Sequence, residues 1–266
     1  MRLQAALNGA RAAGFHPALP LTAEDAARDA ARCVAAGAFG VHLHPRDPAT
    51  GRETLDARHV GRAVALVRAA LPPAATVSVS TGAWIAADDA ARRAALAAWA
   101  DLPAGERPDE ASVNLSEADA PAVMDLLSAA GVGVEAGLAS LADAERFLAL
   151  RPAGVRRVLV EIGGEAGAAL GIAAAVAARL DAARYDATVP RQMHGEGESV
   201  WPLFDLACGL GLEARLGLED GRLMPGGRVA ADNAELVALG VQRAGATAAA
   251  LARAGRGRAE ATAADA

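Results

Sequence analysis

Two histidines separated by a single residue, His42 and His44, carry the strongest chemical signal in the sequence. Residues i and i+2 of a β-strand point to the same face, so the two imidazoles can reach one ion if this segment is a strand. Zinc in catalytic sites typically has three protein ligands and one open position. The pair therefore predicts part of a metal site, and an ordinary polar strand end is the alternative.

The elements that must position this pair alternate between short apolar runs and helical stretches. Eight apolar runs occur, at residues 3–7, 40–44, 76–80, 111–115, 133–138, 157–161, 186–192 and 213–218. Strands that alternate with helices in this way indicate a parallel sheet, and eight such units predict an α/β fold, the (β/α)8 or TIM barrel. A doubly wound open sheet is the alternative, but no Gly-x-Gly-x-x-Gly follows the first run.

The barrel is expected to form a single domain. We predict it over residues 1–252, because no Pro-, Ser- or Gly-rich linker divides the chain, and we predict a frayed tail over residues 253–266. Capping signals place helix starts after Thr22, Ser116 and Ser140, each of which is followed three residues later by an aspartate.

The active site of a TIM barrel lies at the C-terminal ends of its strands, and acidic residues close the eighth run there. Only strand 1 separates strand 8 from strand 2 in a closed barrel, so Glu219 is the expected third metal ligand. Arg215, four residues earlier, is expected on the same strand and facing inward with Glu219. An arginine beside Asp220 lowers the pKa of that carboxyl and orients it, which predicts an ionised base beside the metal. A structural Arg215–Asp220 pair is the alternative.

Other polar residues recur at the same strand ends and are predicted to contact substrate. They are Asn8, Arg11, Arg46, Thr81, Gly82, Ser112, Asn114, Glu135 and His194. Backbone N–H groups that follow His194 can bind a phosphate or a carboxylate. Gly82 allows a ligand to approach the backbone closely. Ordinary turn chemistry is the alternative for each of these residues taken alone.

Composition excludes several functional classes. The formal net charge of −6 argues against a nucleic-acid partner. No apolar run reaches the roughly 18 residues that span a bilayer, and the N-terminal segment is too short and too polar for a secretory signal. The two cysteines, Cys33 and Cys208, are distant in sequence, which predicts a reducing, cytoplasmic environment without disulfides. The chain has no lysine, so a Schiff-base route to carbon–carbon cleavage is excluded.

Taken in order, these residues resemble the β-keto acid cleavage enzymes, the family of 3-keto-5-aminohexanoate cleavage enzyme. The similar stretches are residues 7–11, 16–20, 42–47, 80–82, 112–114, 194–197, 215–220 and 233–237. The specific part is His-x-His-x-Arg-Asp at residues 42–47 combined with Arg-x-Gly-Leu-Glu-Asp at residues 215–220. The resemblance covers nearly the whole chain.

The resemblance implies a barrel that holds one divalent metal, usually zinc, through His42, His44 and Glu219. It implies condensation of a β-keto acid with acetyl-CoA followed by retro-Claisen cleavage, which yields acetoacetate and a new acyl-CoA. Asp220 would act as the general base and Arg215 would orient it. Ser80 would act with them in catalysis, and Ser80 and Ser112 would occupy the substrate and thioester positions. Homotetramers are typical of the family.

The sequence departs from the family pattern at two places. The family member that acts on the amino-substituted substrate has an acid where this chain has Arg11. An arginine should repel an amine, so we expect 3-keto-5-aminohexanoate to be a poor substrate and a dicarboxylic or neutral β-keto acid to be a better one. Ala83 and Trp84 replace the glycine that usually follows Ser-Thr-Gly, which changes the expected pocket shape.

Two other functions compete with this interpretation. Amidohydrolase-type barrels also use His-x-His, but they place it on strand 1 and add histidines on strands 5 and 6. Here the pair lies on the second run, and the fifth and sixth runs contain no histidine. The other alternative is a barrel that binds a metal or CoA without turnover.

Overall fold

A computed structural model describes the backbone of residues 1–264 and the side chains of residues 1–253. Eight parallel strands close into a barrel in chain order, with each strand beside its sequence neighbours. The strands are β1 (Leu3–Ala6), β2 (Gly40–Leu43), β3 (Thr76–Ser80), β4 (Glu110–Asn114), β5 (Gly133–Leu138), β6 (Val155–Ile162), β7 (Arg191–Gly195) and β8 (Glu213–Leu216). The chain therefore forms a single-domain TIM barrel, as the alternation of apolar runs and helices predicts.

The α-helices of the described residues surround the barrel. They are α1 (Ala23–Ala35), α2 (Ala57–Ala69), α3 (Asp89–Ala97), α4 (Ala120–Ala129), α5 (Leu141–Leu150), α6 (Ala166–Ala182), α7 (Val200–Leu210) and α8 (Asn233–Ala264). Valine, leucine and alanine side chains fill the layer between strands and helices. None of the helices within residues 1–264 combines the length and the apolar character that crossing a membrane requires. Cys33 and Cys208 are free and buried in α1 and α7.

Three strand boundaries differ from the sequence prediction in ways that matter for the site. β2 ends at Leu43, so His44 follows the strand that carries His42 and does not lie on it. Residues 186–190 precede β7, because the Asp186 carboxylate accepts the backbone N–H of Thr188 and holds a turn there. The prediction that His194 follows strand 7 is therefore wrong, since His194 lies within β7. β8 ends at Leu216, so Glu219 belongs to the following turn and not to the strand with Arg215.

Glycine sets the path of that turn. A Cβ atom on Gly217 would lie 1.8 Å from the carbonyl oxygen of Ala6, so only glycine allows the chain to pass β1 this closely. Asp220 donates its backbone N–H to the Gly217 carbonyl at 3.0 Å and tightens the turn. The close passage brings Glu219 toward β2, across β1, without a longer strand.

Helix capping follows the sequence in two of three places. Thr22 accepts the Asp25 N–H at 3.1 Å, and Ser140 accepts the Asp143 N–H at 3.1 Å. The start predicted after Ser116 is wrong, because α4 begins at Ala120. Its cap residue Asp119 instead binds the buried guanidinium of Arg92 at 2.8 Å. The last helix continues to Ala264, residues 265–266 lie outside the described residues, and fraying of the tail stays a prediction.

Candidate active site

A cavity of about 190 Å³ opens at the C-terminal ends of the barrel strands. Its lining is dominated by charged and polar side chains. The lining residues are Ala10, Arg11, His42, His44, Ser80, Trp84, Ser112, Asn114, Glu161, Glu196, Arg215, Glu219 and Asp220. Ligands of TIM barrels bind at this end, so the cavity is the candidate active site.

Three side chains in the cavity present ligand atoms to a common centre. One ligand atom each from His42, His44 and Glu219 lies within 4.8 Å of the other two. Nε2 of His44 is 3.3 Å from Glu219 Oε1, and Nε2 of His42 is 3.9 Å from the same oxygen. Both histidines are almost completely buried. This is the number and type of donors that catalytic zinc sites use.

The Nδ1 atom of each histidine contacts a second residue. Nδ1 of His42 is 2.8 Å from the Ser78 hydroxyl, which donates in turn to Glu135. Nδ1 of His44 lies against the Glu53 carboxylate, which also accepts the indole N–H of Trp84 at 3.2 Å. Such contacts fix the ring orientation and turn Nε2 toward a metal.

The electrostatics of the centre favour a cation between these groups. Burial opposes a charge on His44, but Glu219 and Glu53 raise its pKa to about 9. Burial alone would raise the pKa of Glu219, yet Arg215 and the two histidines lower it well below its usual range. Oε2 of Glu219 is buried and has no hydrogen-bond partner among the described residues. A metal ion would give this oxygen the partner that a buried polar atom needs.

Asp220 lies beside this centre and is held in place by two neighbours. The Arg215 guanidinium donates to Asp220 Oδ1 at 2.9 Å and also contacts Glu219. Nδ1 of His194 is 3.3 Å from the same Asp220 oxygen, and its Nε2 is 3.4 Å from Glu161. Burial and Arg215 lower the pKa of His194, but Asp220 and Glu161 outweigh them and raise it to about 9. The arrangement presents an oriented carboxylate at the edge of the candidate metal centre.

A family model for beta-keto acid cleavage enzymes matches residues 1–261. The chain belongs to this family. A comparison with curated proteins finds no match.

Solved structures agree with the barrel fold. A ternary complex of ObcA with a C4-CoA adduct and oxalate is 22% identical, with a TM-score of 0.67 over 85% of this chain and 64% of that one. Apo ObcA is also 22% identical, with a TM-score of 0.66 over 85% and 62%. This chain therefore spans less than two thirds of either ObcA chain. A type I 3-dehydroquinate dehydratase from Clostridium difficile is 9% identical, with a TM-score of 0.56 over 80% and 83%.

The structure brings many of the predicted site residues of this family member to the cavity. Those that line it are His42, His44, Glu219, Asp220, Arg215, Ser80, Arg11, Ser112 and Asn114. His194 lies directly behind, in contact with Asp220. The remaining predicted residues serve the framework of the site and do not line the cavity.

Asn8 and Arg46 support the chain around the candidate metal centre. The Asn8 amide accepts the backbone N–H of His44 at 2.8 Å and donates to the His44 carbonyl at 3.0 Å, which fixes one candidate metal ligand. Arg46 donates to the carbonyls of Gly9 at 2.9 Å and Arg11 at 2.7 Å. Its guanidinium therefore shapes the loop after β1.

Thr81, Gly82 and Glu135 also have structural contacts. The Thr81 hydroxyl donates to the Ser112 carbonyl at 2.6 Å and ties β3 to β4. A Cβ atom on Gly82 would lie 2.3 Å from the Trp84 ring, so this glycine makes room for Trp84 and not for a ligand. Glu135 lies deeper in the barrel, where it pairs with Arg157.

Four further residues at the site are not among the predicted site residues. They are Glu53, Trp84, Glu161 and Glu196. Trp84 is 55% exposed and its ring stacks on His44 at 6.4 Å between centroids. The replacement of the family's usual glycine by Ala83 and Trp84 is the sequence signal that points to Trp84. Glu53 reaches His44 because an isolated antiparallel bridge pairs Arg46 with Glu53. No hydrophobic periodicity in the sequence predicts this bridge.

Proposed function

We propose that this chain condenses a β-keto acid with acetyl-CoA and then cleaves the product to acetoacetate and a new acyl-CoA. Family membership supports the class of chemistry. The single observation that carries the proposal is the convergence of His42, His44 and Glu219, with Asp220 held beside them.

The donor set fits a divalent metal, and zinc is the ion we propose. Two imidazole nitrogens and one carboxylate form a borderline-soft set that suits zinc, and the unpartnered Glu219 Oε2 supports this assignment. When bound, such an ion supplies Lewis-acid stabilisation of the enolate that forms when a β-keto acid loses its α-proton. His42, His44 and Glu219 are the residues that would hold this ion.

Asp220 is the proposed general base. A carboxylate that takes the α-proton must stay ionised and correctly oriented, and Arg215 and His194 contact it for that purpose. The α-carbon then forms a bond to the acetyl carbonyl carbon, and the carbon–sulfur bond of acetyl-CoA breaks. The released CoA thiolate attacks the original ketone carbonyl. A new carbon–sulfur bond forms there as the bond to the α-carbon breaks. The electron pair of the broken bond stays on the α-carbon, which takes back the proton held by Asp220, and acetoacetate leaves.

The polar wall of the cavity would bind the rest of the reactants. Ser80, Ser112 and Asn114 offer hydroxyl and amide groups to the keto acid and the thioester. A second cavity of about 410 Å³ adjoins the first, and the two share Ala10, Arg11 and Trp84 in their linings. Arg52 borders this second cavity. We propose that the phosphate-bearing arm of acetyl-CoA lies along it.

An acyl-exchange assay tests the proposal. Zinc-loaded protein is mixed with acetyl-CoA and a panel of β-keto acids, and acetoacetate and the new acyl-CoA are measured with and without a chelator. Products that require both substrates and the metal support the proposal. Hydrolysis without CoA would support an amidohydrolase-type activity, and bound zinc without any turnover would support a non-catalytic barrel. The homotetramer and the cytoplasmic location stay predictions.

A further inference from the structure

An ion pair between Arg11 and Glu196 forms part of the cavity lining. Nη2 of Arg11 is 2.8 Å from the Glu196 carboxylate, and both side chains line the cavity. Nε of Arg11 donates to the Glu219 carbonyl at 2.8 Å, which anchors the guanidinium. Arg11 is therefore not a free cation, and an anionic group that approaches its Nη2 atom competes with Glu196 for it.

The charges around the cavity balance when a divalent ion is included. Four carboxylates line it, from Glu161, Glu196, Glu219 and Asp220, against two guanidinium groups, from Arg11 and Arg215. A divalent cation adds the two missing positive charges. The charges of the lining side chains then sum to zero, so each substrate carboxylate that enters adds a negative charge unless a resident carboxylate moves away.

Glu196 is the lining carboxylate that is placed to move. Glu219 and Asp220 are tied to the buried Arg215, and Glu161 lies 3.4 Å from the buried His194. Glu196 has the most exposed side chain of the four, at 53% against 39% for Glu161.

We propose that Glu196 determines which charge the cavity accepts on the substrate tail, the end of the β-keto acid that contacts Arg11. Its carboxylate occupies, on Arg11, the position that the second carboxylate of a dicarboxylic β-keto acid takes. For such a substrate, the Glu196 carboxylate moves away from Arg11 toward solvent. For a substrate with a neutral tail, the Arg11–Glu196 ion pair stays intact. This inference rests on the proposed function, because it assumes that the substrate is a β-keto acid.

The test replaces Glu196 by glutamine and measures selectivity. Glu196→Gln leaves Arg11 without a competing carboxylate, so kcat/KM for a dicarboxylic β-keto acid is expected to rise about fivefold relative to that for a neutral one of similar length. Glu198→Gln is the matched control. It removes the same charge two residues away, from an exposed residue outside the cavity, and is expected to leave the ratio as in wild type.

A double-mutant cycle isolates Arg11 as the partner. In an Arg11→Gln background, Glu196→Gln is expected to change the ratio by much less than fivefold, because the competition for the guanidinium no longer exists. A rise of the ratio by about fivefold in the Arg11→Gln background would overturn the inference, because it would reflect general electrostatic repulsion between Glu196 and the substrate. Thermal unfolding of each variant checks that the comparison is made on folded protein.

Binding of unreactive probes separates this inference from the proposed function. Calorimetry on zinc-loaded protein compares glutarate with butyrate, which differ by the second carboxylate. Glu196→Gln is expected to tighten glutarate about fivefold relative to butyrate, whether or not any β-keto acid is turned over. A glutarate-to-butyrate ratio equal to that of Glu198→Gln would overturn the inference. Lack of turnover by wild type, with this shift present, would contradict only the proposed function.

Discussion

Two clusters of buried charge occupy the inside of the barrel, and they contain nearly the same residue types. The metal-side cluster has Arg215 in contact with Glu219 and Asp220. The Arg157 cluster lies deeper and has Arg157 in contact with three carboxylates, those of Glu110, Glu135 and Glu213. Each cluster is thus one buried arginine with several acids.

The clusters differ in what their oxygens bind. In the Arg157 cluster, Gln4 donates to Glu135 at 3.3 Å and Arg2 donates to Glu213 at 2.9 Å, so surrounding donors complete the network. In the metal-side cluster, the buried Glu219 Oε2 has no partner within the described residues, and the Glu219 side chain lines the cavity together with the two imidazoles. A satisfied network stabilises a fold, whereas an unsatisfied oxygen at an open cavity indicates a binding site.

The largest expected effect comes from neutralising a carboxylate of the metal-side cluster. Asp220→Asn is expected to lower kcat/KM by about 10²–10⁴-fold, as loss of a general base does, while zinc content stays close to wild type. Glu213→Gln removes one charge from the Arg157 cluster and should keep turnover. Steady-state kinetics and metal analysis of both variants check this pair. Equal loss of turnover in the two variants would remove the distinction between the clusters.

Removing the central arginine of the deeper cluster should affect stability instead. Arg157→Met leaves Glu110 and Glu135 buried without their cation, while Glu213 keeps only Arg2, so the free energy of unfolding is expected to fall by about 3–5 kcal/mol. Urea titration measures this change. Arg191→Met provides the control, because Arg191 pairs at the surface with the exposed Asp181 and its loss should cost at most about 1 kcal/mol. Similar losses in both variants would contradict a structural role for the Arg157 cluster.

A smaller effect is expected from the residue that orients a metal ligand. Glu53→Gln weakens the contact with His44 Nδ1 and is expected to lower zinc affinity by about 10–100-fold. Competition with a chromophoric chelator measures the affinity, and Glu198→Gln again serves as the control. Unchanged affinity would indicate that the backbone contacts of Asn8 are enough to hold His44.

Sequence patterns predict the barrel and the metal-side cluster because both depend on order along the chain. Eight alternating units fix the parallel barrel, and the strand order together with the turn at Gly217 brings His42, His44 and Glu219 together. The depth at which a residue lies inside the barrel does not follow from that order. Glu135 faces inward like a site residue, but strand tilt and stagger place it beside Arg157.

Loop contacts are the other part that sequence does not predict. Glu196 meets Arg11 across 185 residues of chain, through a turn whose path depends on Gly197. Glu53 meets His44 through an isolated bridge and not through a regular strand. No hydrophobic period describes such segments, so their side-chain partners become visible only when the loops are folded.

The smallest expected effect compares how the two clusters respond to pH. Burial and the neighbouring Glu135 raise the pKa of Glu110 to about 7, although Arg157 opposes this. Its carboxyl titrates near ~4.3 in an unfolded chain. Protonated Glu110 therefore favours the folded state below about pH 4.3, and this contribution is lost as the pH rises through about 7.

Glu110→Gln cannot lose that proton. Between about pH 5 and pH 8, the free energy of unfolding of this variant is expected to decrease by about 1–2 kcal/mol less than that of wild type. Glu161 has the opposite sign, because His194 and Arg215 outweigh burial and lower its pKa to about 2. Its contribution is present above about pH 4.3 and is lost only as the pH falls toward 2. Between about pH 5 and pH 6, below the range in which its neighbour His194 titrates, Glu161→Gln should therefore shift the stability curve without changing its slope. Urea titrations distinguish the two variants, and a changed slope for Glu161→Gln between about pH 5 and pH 6 would show that the clusters titrate as one network.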